Sequence, residues 1–125
     1  LGKQRVDGFE STGNGSYDVS LGENEYAVLE FDALQPTEFA ASFVVDEGMM
    51  TLMLLDRDQF WRYEEGDRFE GYWKVNDDTT SAPMVRDQFE RGDAFMLVAD
   101  NTGRVDEHTV DGPVEARVRT VRAVL

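Results

Sequence analysis

The side chains in this sequence best suited to chemistry are a single histidine, several close pairs of acidic residues and one dense run of aromatics. His108 stands in Asp106-Glu107-His108-Thr109, a polar stretch that reads as an exposed loop or strand end. One histidine does not make a multi-histidine zinc site, and a general base needs a nucleophile or substrate within hydrogen-bond reach, which no neighbouring motif supplies. The oxygen-rich pairs are Asp56 with Asp58, Asp77 with Asp78, and Asp100 with Asn101. Calcium gathers ~6 to 8 oxygen ligands from loops, which makes Asp56, Asp58, Asp100 and Asn101 the candidate ligands. They show no EF-hand spacing, and with 26 Asp and Glu in the chain such pairs also arise as ordinary parts of an acidic surface. The expectation is therefore no cofactor, with calcium the one ion for which ligands are to hand. A hydrolase built on paired carboxylates needs two of them facing each other across a cleft, a geometry that spacing does not reveal.

The aromatic run is the most unusual local feature: Phe60, Trp61, Tyr63, Phe69, Tyr72 and Trp73 are six aromatics within fourteen residues. Aromatic rings beside Arg62 and Arg68 can stack on a sugar ring or form the centre of a protein interface. Trp61, Arg62, Tyr63, Tyr72 and Trp73 are thus the candidate binding residues. The competing role is structural, the aromatics stapling a short helix and its following strand over the open end of a sandwich. A short helix offers one apolar stripe, so this role buries Phe60, Tyr63 and Phe69 and leaves Arg62, Glu64 and Glu65 in water. Trp61, adjacent to Phe60 and off that stripe, is then the more exposed tryptophan, and Trp73 the more protected. No G-x-S-x-G, H-E-x-x-H, Walker A or G-x-G-x-x-G pattern occurs, so an enzyme is not expected.

The elements that must position these residues are mostly strands. Tyr17, Val19 and Leu21 alternate with polar residues, and Ala27, Leu29 and Phe31 do so after the break at 22–25, which suggests a hairpin. Phe39, Ala41, Phe43 and Val45 share one strand face, and the nearly continuous apolar run from Met49 to Leu55 reads as a strand covered on both sides. A helix is expected over residues 58–65 with Asp58 as its cap. Strands are expected over residues 70–75, 84–89 and 94–99, and along 114–124, where the apolar phase slips near Thr120 and Val121 as at a bulge. The fold class is all-β, an antiparallel β-sandwich of about seven to nine strands with one short helix, a single domain over residues 1–125 whose first 15 residues are loose or edge-paired. Phe39, Phe43, Leu52, Leu54, Phe95 and Leu97 are its expected core.

Composition narrows the partners. The chain carries 12 Lys and Arg against its 26 acidic residues, a net charge of −14, and only Lys3 and Lys74 are lysines. Such a surface repels phosphate backbones and anionic lipid, which makes nucleic acid and a bare membrane poor partners. A carboxylate-coated, lysine-poor surface resembles that of halophilic proteins, in which molar salt shortens the Debye length to ~3 Å and removes self-repulsion; the other reading of the same composition is an ordinary acidic mesophilic domain. There is no cysteine, and no apolar run reaches the ~18 to 20 residues of a spanning helix. The chain opens on Leu1, which leaves room for an upstream signal, lipid anchor or membrane helix.

The segments Phe39-Ala40-Ala41-Ser42-Phe43-Val44-Val45-Asp46-Glu47-Gly48, Leu55-Asp56 and Arg91-Gly92-Asp93-Ala94-Phe95-Met96-Leu97-Val98-Ala99-Asp100-Asn101-Thr102 resemble those of the GOLD-type β-sandwich and related extracellular modules. The resemblance covers about half the chain and implies protein interaction or cargo recognition, with no catalytic residue. The cysteine pair of many eukaryotic members is absent, so their partners do not carry over. The expected function is a non-catalytic protein-interaction or structural module of a secreted or cell-surface halophilic protein with a protein partner. The alternative is a small-ligand or carbohydrate-binding sandwich that uses residues 60–73.

Overall fold

The structure, a computed structural model, describes residues 2–47, 50–71, 73–77, 82–103 and 114–124. The strands are β1 (Gln4–Arg5), β2 (Phe9–Gly13), β3 (Ser16–Leu21), β4 (Glu25–Asp32), β5 (Thr37–Glu47), β6 (Met50–Asp56), β7 (Trp73–Asp77), β8 (Ala82–Phe89), β9 (Ala94–Asp100) and β10 (Val114–Val124), with helix α1 (Arg57–Glu65) between β6 and β7. They form two five-stranded sheets, one ordered β1-β4-β9-β6-β7 and the other β2-β3-β10-β5-β8. Every pairing is antiparallel except that of β1 with β4. With the two short N-terminal strands set aside, β3-β10-β5-β8 and β4-β9-β6-β7 are nested pairs wound from one sheet to the other, the order of a jelly roll. The fold is the all-β sandwich expected, with β1 and β2 added at the sheet edges.

The core lies between the sheets because alternation aims one face of each strand inward. Val19, Leu21, Ala27, Phe39, Phe43, Leu52, Leu54, Phe95, Leu97, Ala99, Val114 and Val118 form one buried cluster, which contains all six residues expected there. The Phe95 ring stacks on Phe89 at 4.1 Å and on Phe31 at 5.0 Å, and meets the edge of Phe39 at 5.2 Å. Ring pairs of this kind add ~0.5 to 1.5 kcal/mol beyond the area they bury.

Two local expectations are corrected. β3 and β4 are not a hairpin: β3 pairs with β2 and β10, whereas β4 pairs with β1 and β9 in the other sheet. The break between them, where Asn24 holds φ 62, is a corner between sheets. Both strands turn an apolar face to the same core from opposite sides, so a hairpin and a corner write the same alternation. The bulge is also elsewhere, since β10 runs in unbroken register with β5 from Ala116↔Val45 to Val124↔Thr37 and the irregularity falls between Glu115 and Ala116. Arg122 therefore stands opposite Phe39.

Candidate functional site

The outer face of the β4-β9-β6 sheet carries a second apolar layer, because β6 and β9 are apolar on both faces. Met53, Leu55, Met96 and Val98 point away from the sandwich core and are buried against Tyr26, Phe60 and Tyr63, with Val28 and Phe69 beside them. The covering element is α1. The aromatic staple thus exists, but it lies flat on a sheet face and not over the open end of the sandwich. At nine residues the helix is too short to hold itself in water, so burial of Phe60 and Tyr63, at ~1.5 to 3 kcal/mol each, must supply its stability.

The helix ends are closed on both sides. Asp56, with extended backbone, is the cap: its Oδ1 accepts from the Gln59 amide at 2.7 Å. The cap is two residues earlier than the sequence suggested, and Asp58 instead sits in the first turn, its carboxylate 3.3 Å from Arg62 Nε. At the other end Gly66 adopts φ 80, its amide donates to Tyr63 O at 3.2 Å, and the Asp67 amide donates to Arg62 O at 2.9 Å. That double bond pattern is a Schellman closure, which needs the left-handed residue that glycine supplies.

Polar groups converge beneath this helix. Tyr63 OH donates to Asp100 Oδ2, and Asp100, only 2% exposed, also takes the Thr102 amide and hydroxyl at 2.9 Å each on Oδ1. Tyr26 OH donates to Glu64 Oε2 at 2.8 Å, and the two tyrosine rings meet edge to face at 5.3 Å. Burial first, then the Glu64 bond, pushes the Tyr26 phenol up to about 12. Burial and then the Asp100 charge push Tyr63 further in the same direction. Both phenols are therefore locked as donors and hold their protons at neutral pH, a state suited to recognition and poor for general-base or nucleophilic work.

The sequence-derived candidates scatter. Tyr63 is buried in the polar cluster, Arg62 is exposed and bound to Asp58, and Trp61 is 57% exposed on the outer side of α1. Phe60 is buried, Phe69 half-buried, and Arg62 and Glu65 lie in water, while Glu64 is half-buried over Tyr26. Tyr72, Asp78 and His108 lie outside the described residues, as do the side chains of Trp73 and Asp77. The candidate calcium ligands do not share one site. Asp56 caps α1 and Asp58 pairs with Arg62, whereas Asp100 holds Tyr63 and Thr102 at the far end of β9. The fully buried Asn101 donates its side-chain amide to Gly22 O at 3.0 Å, and its backbone is tied to Glu25 and Asn24, clasping the β3–β4 corner. Among the described residues no three acidic or histidine side chains gather to hold a metal ion, and no helix is long and apolar enough to cross a membrane.

Sequence reasoning passed over Lys3, Tyr26 and Arg5. Lys3 Nζ lies 3.5 Å from the Tyr63 ring centroid, and Arg5 lies 3.6 Å from Glu64 and 3.9 Å from Glu30. The available signal was the placing of one of only two lysines, in a chain of charge −14, next to an arginine two residues on. A cleft of about 420 Å³ opens beside them, lined by Gly2, Lys3, Glu64, Glu65, Asp67 and Phe69. Compared with known proteins, the chain matches no family model and no curated protein.

Proposed function

We propose that this chain is a non-catalytic protein-interaction module of a halophilic secreted or cell-surface protein, and that Trp61 is the centre of its contact surface. The observation that carries the reading is the exposure of Trp61, at 57%, on a helix whose other aromatic side chains, Phe60 and Tyr63, are spent on packing. A large ring held out by a capped, anchored helix has little freedom left to lose on binding. Tryptophan in that position is the commonest kind of interface hot spot, where truncation typically removes ~2 kcal/mol or more of binding energy. The GOLD-type resemblance and the acidic surface supply the setting.

Burial of Phe60 and Tyr63 leaves no broad aromatic platform on α1, which weighs against the sugar-binding alternative. Two experiments test the reading. A photo-crosslinking residue in place of Trp61 is expected to trap a discrete protein adduct in a molar-salt lysate, and the same group in place of Glu10, exposed on β2, is expected not to. Titration of tryptophan fluorescence with mono- and oligosaccharides is expected to give no saturable change. A saturable sugar response that Trp61→Ala abolishes would replace the protein partner with a carbohydrate.

A further inference from the structure

Residues 2–6 lie against the rest of the fold as a peptide lies in a groove. β1 is two residues long and joins the edge of β4 in parallel, Gln4 opposite Glu25 and Arg5 opposite Tyr26. The Gln4 and Val6 amides donate to Asn24 O and Tyr26 O at 2.9 Å each, and the Asn24 side-chain amide donates to Gly2 O at 2.8 Å. The side chains alternate in their contacts. Val6 packs on the sandwich core, whereas Lys3 and Arg5 reach across the outer face to α1.

Each cation meets a built receptor. The Lys3 ammonium sits over the Tyr63 ring at 3.5 Å and 5.5 Å from that of Tyr26, and donates to Tyr63 O. That carbonyl is at the C-terminal end of α1, where the helix dipole favours a cation. The Arg5 guanidinium lies between Glu64 and Glu30 and 5.7 Å from the Phe60 ring centroid. The receptors all belong to α1 and β4, and they are rigid, since Tyr63 is fixed on Asp100 and Tyr26 on Glu64. A strand added to a sheet edge gains affinity from main-chain bonds and specificity from pockets for alternate side chains. Both parts are present here.

We propose that the edge of β4 with Tyr26, Tyr63, Glu30 and Glu64 is a recognition site for an extended peptide of pattern basic-x-basic-aliphatic, occupied in cis by the chain's own Lys3-Gln4-Arg5-Val6. The cleft past Lys3, lined by Glu64, Glu65 and Asp67, continues the acidic track along which such a peptide would run. The site is separate from Trp61 and does not depend on it.

The test uses the full chain and a fluorescein-labelled hexapeptide Gly-Lys-Gln-Arg-Val-Asp, with Gly-Ala-Gln-Ala-Val-Asp as control, read by fluorescence anisotropy. A tethered segment competes at an effective concentration in the ~mM range. The vacated variant Lys3→Ala/Arg5→Ala, checked for its fold by circular dichroism, is therefore expected to bind the basic peptide at least ~10-fold tighter than the unmodified chain. It should bind the alanine peptide at least ~10-fold more weakly than the basic one, and adding Glu64→Gln should weaken the basic peptide again. Should the double variant not fold, hydrogen exchange on the unmodified chain decides: saturating basic peptide should deprotect the Gln4 and Val6 amides, as the cis strand is displaced. Equal binding of the two peptides, equal binding to vacated and unmodified chains, or amide protection indifferent to peptide would overturn the proposal.

Discussion

Tyr63 has two separable roles, both of which one substitution probes. Its ring fills the space between α1 and β9 while its hydroxyl answers a buried carboxylate. Tyr63→Phe keeps the ring and leaves Asp100 with only Thr102 among these partners, so a loss of ~1 to 3 kcal/mol is expected in the denaturant midpoint, the range for an under-satisfied buried polar group. The second effect is on alkaline stability. A tyrosine in the unfolded chain loses its proton near pH ~10, whereas Tyr26 in the fold holds its own up to about 12 and Tyr63 beyond that. Above pH ~10 the unfolded state thus binds fewer protons than the folded one, and stability, fully present below that pH, falls as pH rises. Absorbance at 295 nm should show late phenolate steps that Tyr26→Phe and Tyr63→Phe remove, and each variant should flatten the loss of stability between pH ~10 and 12. A chain whose stability is level through that range would show that neither phenol is masked. Sequence could place Tyr63 on a buried stripe through its spacing from Phe60, but not opposite Asp100, 37 residues away. That pairing depends on which strand the helix lies across.

At the scale of elements, strands and helix were legible wherever a pattern has a single physical solution. Phe39, Ala41 and Phe43 alternate, which only a strand with one buried face explains, and β5 is that strand. The nearly continuous apolar run of β6 requires cover on both faces, and it has the sandwich on one side and α1 on the other. Pairing partners were not legible, because β3 and β4 would look the same whether folded on each other or on opposite sheets. The cap lies two residues before the one expected because Asp56 and Asp58 are chemically equal; backbone geometry, extended at Asp56, decides between them. Two substitutions test the element-level account. Phe43→Ala or Phe95→Ala should cost ~3 to 5 kcal/mol from lost burial and the cavity left, and a loss below ~1 kcal/mol would put the ring outside the core. Asp56→Ala should cost ~1 kcal/mol. Because the cap holds only α1, its effect should appear as faster hydrogen exchange in residues 57–65 while amides of β5 and β10 stay protected. Uniform loss of protection across both sheets would mean that α1 and the sandwich unfold as one unit.

For the whole molecule the governing quantity is charge. Four ion pairs are formed among the described residues, Arg5 with Glu30 and with Glu64, Arg57 with Asp32, and Arg62 with Asp58, all at 3.3 to 3.9 Å and solvent-accessible. Exposed pairs of this kind are worth ~0 to 1 kcal/mol each, so their screening by salt removes little. The repulsive side is larger, since the 26 carboxylates outnumber the 12 cations by 14. Two like charges ~10 Å apart in water repel by ~0.4 kcal/mol before screening, and a surplus of this size makes many such pairs. At molar salt the Debye length is ~3 Å and those terms vanish. The denaturation midpoint should therefore climb steeply from low salt to molar KCl and then level off. General strengthening of apolar burial by salt predicts a rise too, but one that does not depend on surface charge. Converting the exposed Glu10, Asp18, Glu23 and Asp67 to their amides lowers the surplus from 14 to 10 without touching an ion pair or the core. That variant should be more stable than the unmodified chain at low salt and gain less from added KCl, the two curves meeting at molar concentration. Parallel curves would assign the salt response to apolar burial, and a midpoint that is flat or falls with KCl would remove the halophilic reading altogether.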